Sequence, residues 1–223
     1  MSLILNIDTS TEHASICISN KEECLCLLSN DSQKDHAAWL HPAIQNALKY
    51  SGKNLHDLKA VGLTMGPGSY TGLRVGMAAA KGLCYAMNIP LVGVNTLEAM
   101  AGIAVKEDAD YLCPMIDARR MEVFTALYDK NLRTLIPPCA MILDKDSFSE
   151  YLKGKIIVFF GNGRKKFEFI TQQNNAVFKN VIFNATDLSA VIYGKFIKSE
   201  FQPLAYVEPI YIKDYYTRLS DKS

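Results

Sequence analysis

Four short stretches of this chain carry residue types that could hold a phosphate. They are Asp8-Thr9-Ser10-Thr11, Gly66-Pro67-Gly68-Ser69-Tyr70-Thr71-Gly72, Asp117-Ala118-Arg119-Arg120 and Gly161-Asn162-Gly163. A glycine-rich turn between strand and helix suits an anion, because free backbone N–H groups and the helix N-terminus both favour negative charge. The match to known phosphate loops is incomplete. A Walker loop needs Lys and Ser/Thr straight after its last glycine, whereas Gly72 is followed by Leu73-Arg74. The spacing of Gly66, Gly68 and Gly72 is one residue too long for the dinucleotide fingerprint. An Asp at a strand end beside three hydroxyls can hold a phosphate or its Mg²⁺. The same residues describe an ordinary Asx-type turn, which their types favour. A bound nucleotide would lie between the two Asp-bearing turns and the two GxG loops. Its candidate contacts are Asp8, Thr9, Ser10, Gly66, Gly68, Ser69, Asp117, Gly161 and Gly163, with ATP or ADP and Mg²⁺ as the candidate ligand.

The elements that must position these residues follow from periodicity. Leu3 to Asp8 is an apolar strand, Ala14 to Ser19 alternates as a second, and Cys24 to Leu28 supplies a third. Asp35 to Tyr50 carries Ala37, Leu40, Ile44, Ala47 and Leu48 at helical spacing, with Gly52 as its stop. Val61 to Met65 is a buried strand leading into the first glycine loop, and a helix follows to about Met87. Ile89 to Val94 is a short strand and Thr96 to Val105 a small-residue helix. A polar seam at residues 104–109 then separates this half from another. Leu112 to Asp117 and Met121 to Tyr128 echo the first hairpin, and Ile156 to Phe160 meets Gly161-Asn162-Gly163 as the Val61 strand meets Gly66-Pro67-Gly68. Val181 to Phe183 reads as a further strand, Asp187 to Phe201 as an amphipathic helix, and Glu208 to Lys213 as an extended segment before a polar end. Hairpin, helix and strand with GxG, occurring twice, predict a duplicated α/β fold with halves 1–103 and 104–223.

Gly68, Gly72 and Gly76 recur every four residues, and Ala78, Ala79, Ala80 and Gly82 keep the following turns small. Glycine inside a helix costs about 1 kcal/mol relative to alanine, so the stripe has a purpose. Either it packs closely on the chain's own sheet, or another helix, from this chain or a partner, lies against it. The six cysteines show no CxxC pair and read as reduced, buried thiols of a cytosolic protein. A net charge of +1 is not the footprint of a protein that grips nucleic acid by itself. No segment reaches the length of a membrane span, and Met1-Ser-Leu-Ile-Leu lacks the basic start of a signal peptide. His36 and His41 lie five apart, about 140° round a helix, and read as surface or packing residues. Neither a metal site nor a Ser/His/Asp or Cys/His nucleophile arrangement stands out.

Five stretches, in order along the chain, resemble the TsaB (YeaZ) family. They are Ile7-Asp8-Thr9-Ser10, Gly66 to Gly76, Asn95-Thr96-Leu97-Glu98-Ala99, Asp117-Ala118-Arg119-Arg120 and Pro209-Ile210-Tyr211-Ile212-Lys213. That family is the dimerisation subunit of the bacterial tRNA threonylcarbamoyladenosine (t6A) machinery, related to TsaD and the M22 glycoprotease-like proteins. The resemblance implies a duplicated actin-like, Hsp70-like fold of the ASKHA, ribonuclease H-like type. It implies a non-catalytic, cytoplasmic subunit that binds a TsaD-like catalytic partner and works with a TsaE-like ATPase. tRNA would be reached only through that complex, and the chain would form a homodimer in isolation, away from membranes. In TsaD the stretch matching Asn95 to Met100 carries an HxEGH-type motif whose histidines hold a metal. Here only Glu98 remains, so no metal is expected. The contact surface implied is the helix pair Leu73–Met87 and Asp35–Tyr50, with Gly68, Gly72, Leu73, Arg74, Gly76, Ala79, Ala80, Leu40 and Ile44. Bulky or charged residues in place of Gly72, Gly76 or Ala79 are then expected to weaken association more than folding. Two rival classes stay open. One is an ATPase or kinase-like enzyme on the same fold, with Asp8 and Asp117 as its acidic pair. The other is a metallo-glycopeptidase, which the missing histidines oppose.

Overall fold

β1 (Leu3–Asp8), β2 (Ala14–Asn20) and β3 (Glu23–Asn30) form an antiparallel meander, and β4 (Leu58–Thr64) and β5 (Leu91–Val94) extend it parallel to β1. The computed structural model describes residues 2–30 and 35–213, so the polar end expected beyond Lys213 lies outside the described residues. All six residues of β1 are buried, which is why it reads as a continuous run and not an alternation. Leu3, Leu5 and Ile7 face α1 (His36–Tyr50) and α2 (Tyr70–Met87), while Ile4 faces the opposite side. The second half repeats this plan. β6 (Tyr111–Asp117), β7 (Glu122–Asp129) and β8 (Thr134–Ile142) form the meander, and β9 (Ile157–Phe160) and β10 (Ala176–Phe178) add parallel to β6. Read from the meander edge, the strand orders are β3-β2-β1-β4-β5 and β8-β7-β6-β9-β10. The same order twice is the duplicated α/β fold expected from the repeated motifs, and it agrees with the actin-like fold that the resemblance implies.

The halves exchange helices. α3 (Thr96–Ala104) follows β5 of the first sheet but packs on the second, with Leu97, Met100 and Ala101 among Leu112, Ile116 and Phe160. α5 (Leu188–Ile197) comes from the second half and covers the first sheet, where Leu188 and Ile192 meet Ile4, Ala60 and Val92. The approach is close. A Cβ on Gly62 of β4 would lie 2.6 Å from Ile192 Cγ2. Each sheet thus takes one helix from the other half of the chain. Among the described residues, no helix is long and apolar enough to cross a membrane.

Three sequence expectations change. Val181 to Phe183 is not a strand; β10, at Ala176–Phe178, is the third parallel-side element. Val181 and Phe183 turn into the core while Ile182 is exposed, so the apolar alternation is satisfied by packing, with no ladder partner. The helix expected to reach Phe201 stops at Ile197. Ser199 adopts a left-handed conformation, and the chain turns Phe201 back to within 6.0 Å of Phe196. Among the described residues the second half also lacks a counterpart of α1. Turns at residues 144–154 replace it and insert Phe148 and Leu152 beside Phe159 and Phe167, with Phe148 5.3 and 5.4 Å from those two rings. A few large side chains fill the volume that a longer helix fills in the first half.

Candidate functional site

Asp8 ends β1 only 1% exposed, and its Oδ1 accepts three hydrogen bonds. The donors are Ser10 N at 3.1 Å, Ser10 Oγ at 2.7 Å and Thr64 Oγ1 at 2.8 Å. This is an Asx turn locked from below by β4. Burial pushes the Asp8 carboxyl above the usual range, and the bonds from Ser10 and Thr64 offset part of that shift. The glycine loop is seated directly on the turn. Ser69 N donates to Ser10 O at 2.7 Å, and Ser69 Oγ caps α2 by accepting from Gly72 N at 3.3 Å. A methyl group on Gly68 would strike Ser10 O, one on Gly72 would strike Thr9 O, and one on Gly76 would strike Thr9 Oγ1.

The glycine stripe therefore closes on its own chain. Gly72, Leu73, Gly76, Ala79, Ala80, Leu40 and Ile44 are buried, and Gly68 is half-buried. Of the residues expected on a partner surface, Arg74 alone is exposed. At Gly72 and Gly76 an added side chain meets this chain's own Thr9 before it can meet a partner. The face that α2 turns outward carries Thr71, Arg74, Ala78, Gly82, Tyr85 and Ala86. A Cβ on Gly82 would meet nothing within 4 Å.

The second half repeats the arrangement with charge added. Asp117 Oδ1 accepts from Arg119 N at 2.6 Å and from Lys166 Nζ at 2.8 Å, while Asp117 N donates to Asn162 Oδ1 at 2.9 Å. Gly163 N donates to Met115 O at 3.0 Å, and a methyl group on Gly161 would strike that same carbonyl. The residues expected around a nucleotide thus gather into two clusters. Asp8, Thr9, Ser10, Gly68 and Ser69 form one, and Asp117, Gly161 and Gly163 the other. Gly66 backs onto Ile210 O. Of this set only Gly68 and Gly161 border the cavities at the junction of the two halves. One cavity, of about 740 Å³, opens between Thr11, Glu12, Gly161, Asn162, Arg164 and Asn180. The other, of about 510 Å³, lies between the loop before α2 and the β6–β7 turn.

That second cavity is bordered by an extended strap from the chain's end. Ile210 N donates to Met65 O at 2.7 Å, the Tyr211 ring lies 5.2 Å from that of Tyr70, and Lys213 Nζ meets Glu122 Oε2 at 2.8 Å. Arg74 is neither a helix cap nor a simply solvated charge. Its guanidinium sits 4.0 Å over the Tyr70 ring, and its Nε donates to Tyr211 Oη at 2.9 Å. Sequence spacing marks Arg119 and Arg120 but carries no signal for the Tyr70–Tyr211 contact, whose members are far apart in the chain.

A family model described as TsaD: tRNA N6-adenosine threonylcarbamoyltransferase matches residues 28–216. The TsaB protein of Escherichia coli K12 is 37% identical over 134 residues, 57% of this chain and 55% of that protein, so the chain spans about half the length of that relative. The TsaB protein of Bacillus subtilis 168 is 32% identical over 164 residues, 71% of this chain and 70% of that protein. The chain belongs to the TsaB family. A solved Pseudomonas aeruginosa structure described as YeaZ, at 24% identity, has a TM-score of 0.79 over 95% of this chain and 100% of its own. Component A of (R)-2-hydroxyglutaryl-CoA dehydratase from Acidaminococcus fermentans, at 10% identity, shares the fold with a TM-score of 0.52 over 87% of this chain and 99% of its own.

In this TsaB-family chain Asn95 has a structural task. Its Oδ1 caps α3 by accepting from Leu97 N at 2.9 Å and Glu98 N at 3.2 Å. Among the described residues, no group of three or more His, Cys, Asp or Glu side chains is placed to hold a metal ion. His36 is half-buried with Nε2 3.2 Å from Thr11 O, and His41 is exposed. Cys17, Cys84 and Cys113 are buried as expected, whereas Cys24, Cys26 and Cys139 are half-buried, because β3 and β8 are edge strands. Burial pushes the thiols of Cys26, Cys113 and Cys139 up, and that of Cys84 to about 11, the direction that makes each a poorer nucleophile.

Proposed function

We propose that this chain is a non-catalytic subunit of the t6A tRNA-modification machinery, binding a TsaD-like catalytic partner through the outward face of its α1–α2 layer. Membership of the TsaB family supports the role in t6A biosynthesis. The observation that supports a docking role is the α2 face of Arg74, Ala78, Gly82 and Tyr85, where small residues flank a tyrosine 83% exposed. Small side chains let another helix approach closely, and an exposed aromatic ring is a frequent anchor of protein interfaces. In the absence of the partner the same face pairs two copies of the chain. The TsaE-like ATPase joins through the assembly. This reading moves the contact from the buried glycine stripe to its solvent-facing neighbour on the same helix.

Size-exclusion chromatography with light scattering, on this chain alone and mixed with the TsaD-like protein of the same organism, is the test. A heteromeric peak is expected. Gly82→Arg is expected to remove that peak, weakening association by about tenfold or more. Its urea unfolding midpoint should be at or above that of wild type, because nothing lies within 4 Å of the new Cβ and arginine is a better helix former than glycine. Wild-type association by a folded Gly82→Arg chain would place the contact elsewhere. No complex with the unmodified chain would end the subunit reading.

A further inference from the structure

The cavity beside the β6–β7 turn plays no part in that docking role, yet it is built for a ligand of definite chemistry. Among the described residues its lining includes the aromatic Tyr70, Phe124 and Tyr211 and the cationic Arg119, Arg120 and Lys213, with one carboxylate, Glu122. Lys213 already holds Glu122, at 2.8 and 3.0 Å. The two arginines have no such occupation. Among the described residues, neither guanidinium makes a hydrogen bond or ion pair, and both residues are exposed.

Their backbone makes the placement more telling. Arg119 and Arg120 form the tip of the hairpin with φ of 70° and 47°. Left-handed backbone favours glycine or asparagine, and arginine gains nothing conformationally from being there. Asp117 pins the turn from inside through the Arg119 N–H, so the two cationic side chains are carried at the cavity mouth by a fixed piece of backbone.

We propose that this cavity receives an unpaired nucleotide of an RNA, with its base against the aromatic rings and its phosphate between Arg119 and Arg120. Stacking on aromatic rings combined with cationic contacts to the backbone is how proteins hold single-stranded RNA. A phosphodiester carries one negative charge and needs no metal, which suits a lining whose one carboxylate among the described residues is already paired. An acidic peptide would supply the charge but leave the aromatic rings unused. A volume of about 510 Å³ admits one nucleotide. The choice of tRNA as the source of that RNA rests on the proposed role in t6A synthesis; the site's chemistry does not.

The full chain without partners, titrated into a fluorescein-labelled anticodon stem-loop RNA and followed by anisotropy across a salt series, tests this. Arg119→Gln with Arg120→Gln is expected to weaken binding about tenfold or more and make the log–log salt dependence shallower by about 1. Arg119→Lys with Arg120→Lys should restore the salt dependence. Lys59→Gln, an exposed charge at the far end of β4, should bind as wild type. Unfolding curves of each variant establish that the fold persists. No RNA binding by the wild-type chain overturns the proposal, as does a Gln double variant with unchanged affinity and salt dependence. Displacement of the RNA by ADP or polyglutamate at equal charge concentration overturns it in favour of a mononucleotide or acidic-peptide site. Complex formation with the TsaD-like protein is scored separately, so either idea can fail without the other.

Discussion

A chain carrying Gly72→Leu is expected to be largely unfolded, and Gly72→Ala to lose about 3 kcal/mol of stability. The first carbon of any side chain at this position meets Thr9 O, a backbone atom in a turn already held by Asp8 and by Ser69. Neither side can yield without breaking that turn. Gly76 differs in kind, since a methyl group there meets Thr9 Oγ1, the movable end of a side chain. Gly76→Ala should therefore be close to neutral, with strain offset by a helix-propensity gain of about 1 kcal/mol. Gly82→Ala, facing open space, should be stabilising by about that gain. Urea unfolding of the three alanine variants measures this gradient along one helix. Equal stabilities, with only association lost at Gly72, would mean that the stripe faces a partner after all.

Asp8→Ala is expected to cost about 3 kcal/mol, because it strands the Ser10 N–H and the Ser10 and Thr64 hydroxyls in the interior. Asp8→Asn keeps the Oδ1 acceptor for all three and removes the charge that burial penalises. At neutral pH it should be at least as stable as wild type. The pH dependence follows from the direction of the shift. The folded-state pKa lies above 3.8, so the stabilising contribution of Asp8 is full below 3.8 and is lost as pH rises through the folded-state value. Wild type and Asp8→Asn should therefore have similar stability near the acid limit and diverge in favour of the asparagine variant on the way to neutrality. Unfolding free energies measured over that range decide it. An asparagine variant less stable than wild type at neutral pH would show that the ionised carboxylate does structural or ligand-binding work there.

Both predictions turn on the difference between what a local pattern specifies and what it leaves open. The repeated unit was legible in the sequence, as two hairpins with Asp at the turn and two strands ending in GxG, whereas the strand order, with β8 and β10 at its ends, came from the structure. The sequence by itself also determined the Asx turn at Asp8, because an Asp followed by hydroxyl residues makes that turn from its nearest neighbours alone. Only the tertiary structure decided which surface the glycine stripe meets. A four-residue spacing of small side chains specifies one face of a helix and is silent on whether the chain's own turn or another molecule lies against it. The exchange of α3 and α5 between the sheets was equally beyond local reading, because Leu97 and Ile192 are apolar at helical spacing whichever sheet they cover. Val181 to Phe183 alternates like a strand and forms none, for burial rewards the alternation whether or not a neighbouring ladder exists. The aromatic cavity needed three distant segments brought together, the loop at Tyr70, the turn at Arg119 and the strap at Tyr211. Periodicity records a residue's distance along the chain, and that cavity depends on distances through space.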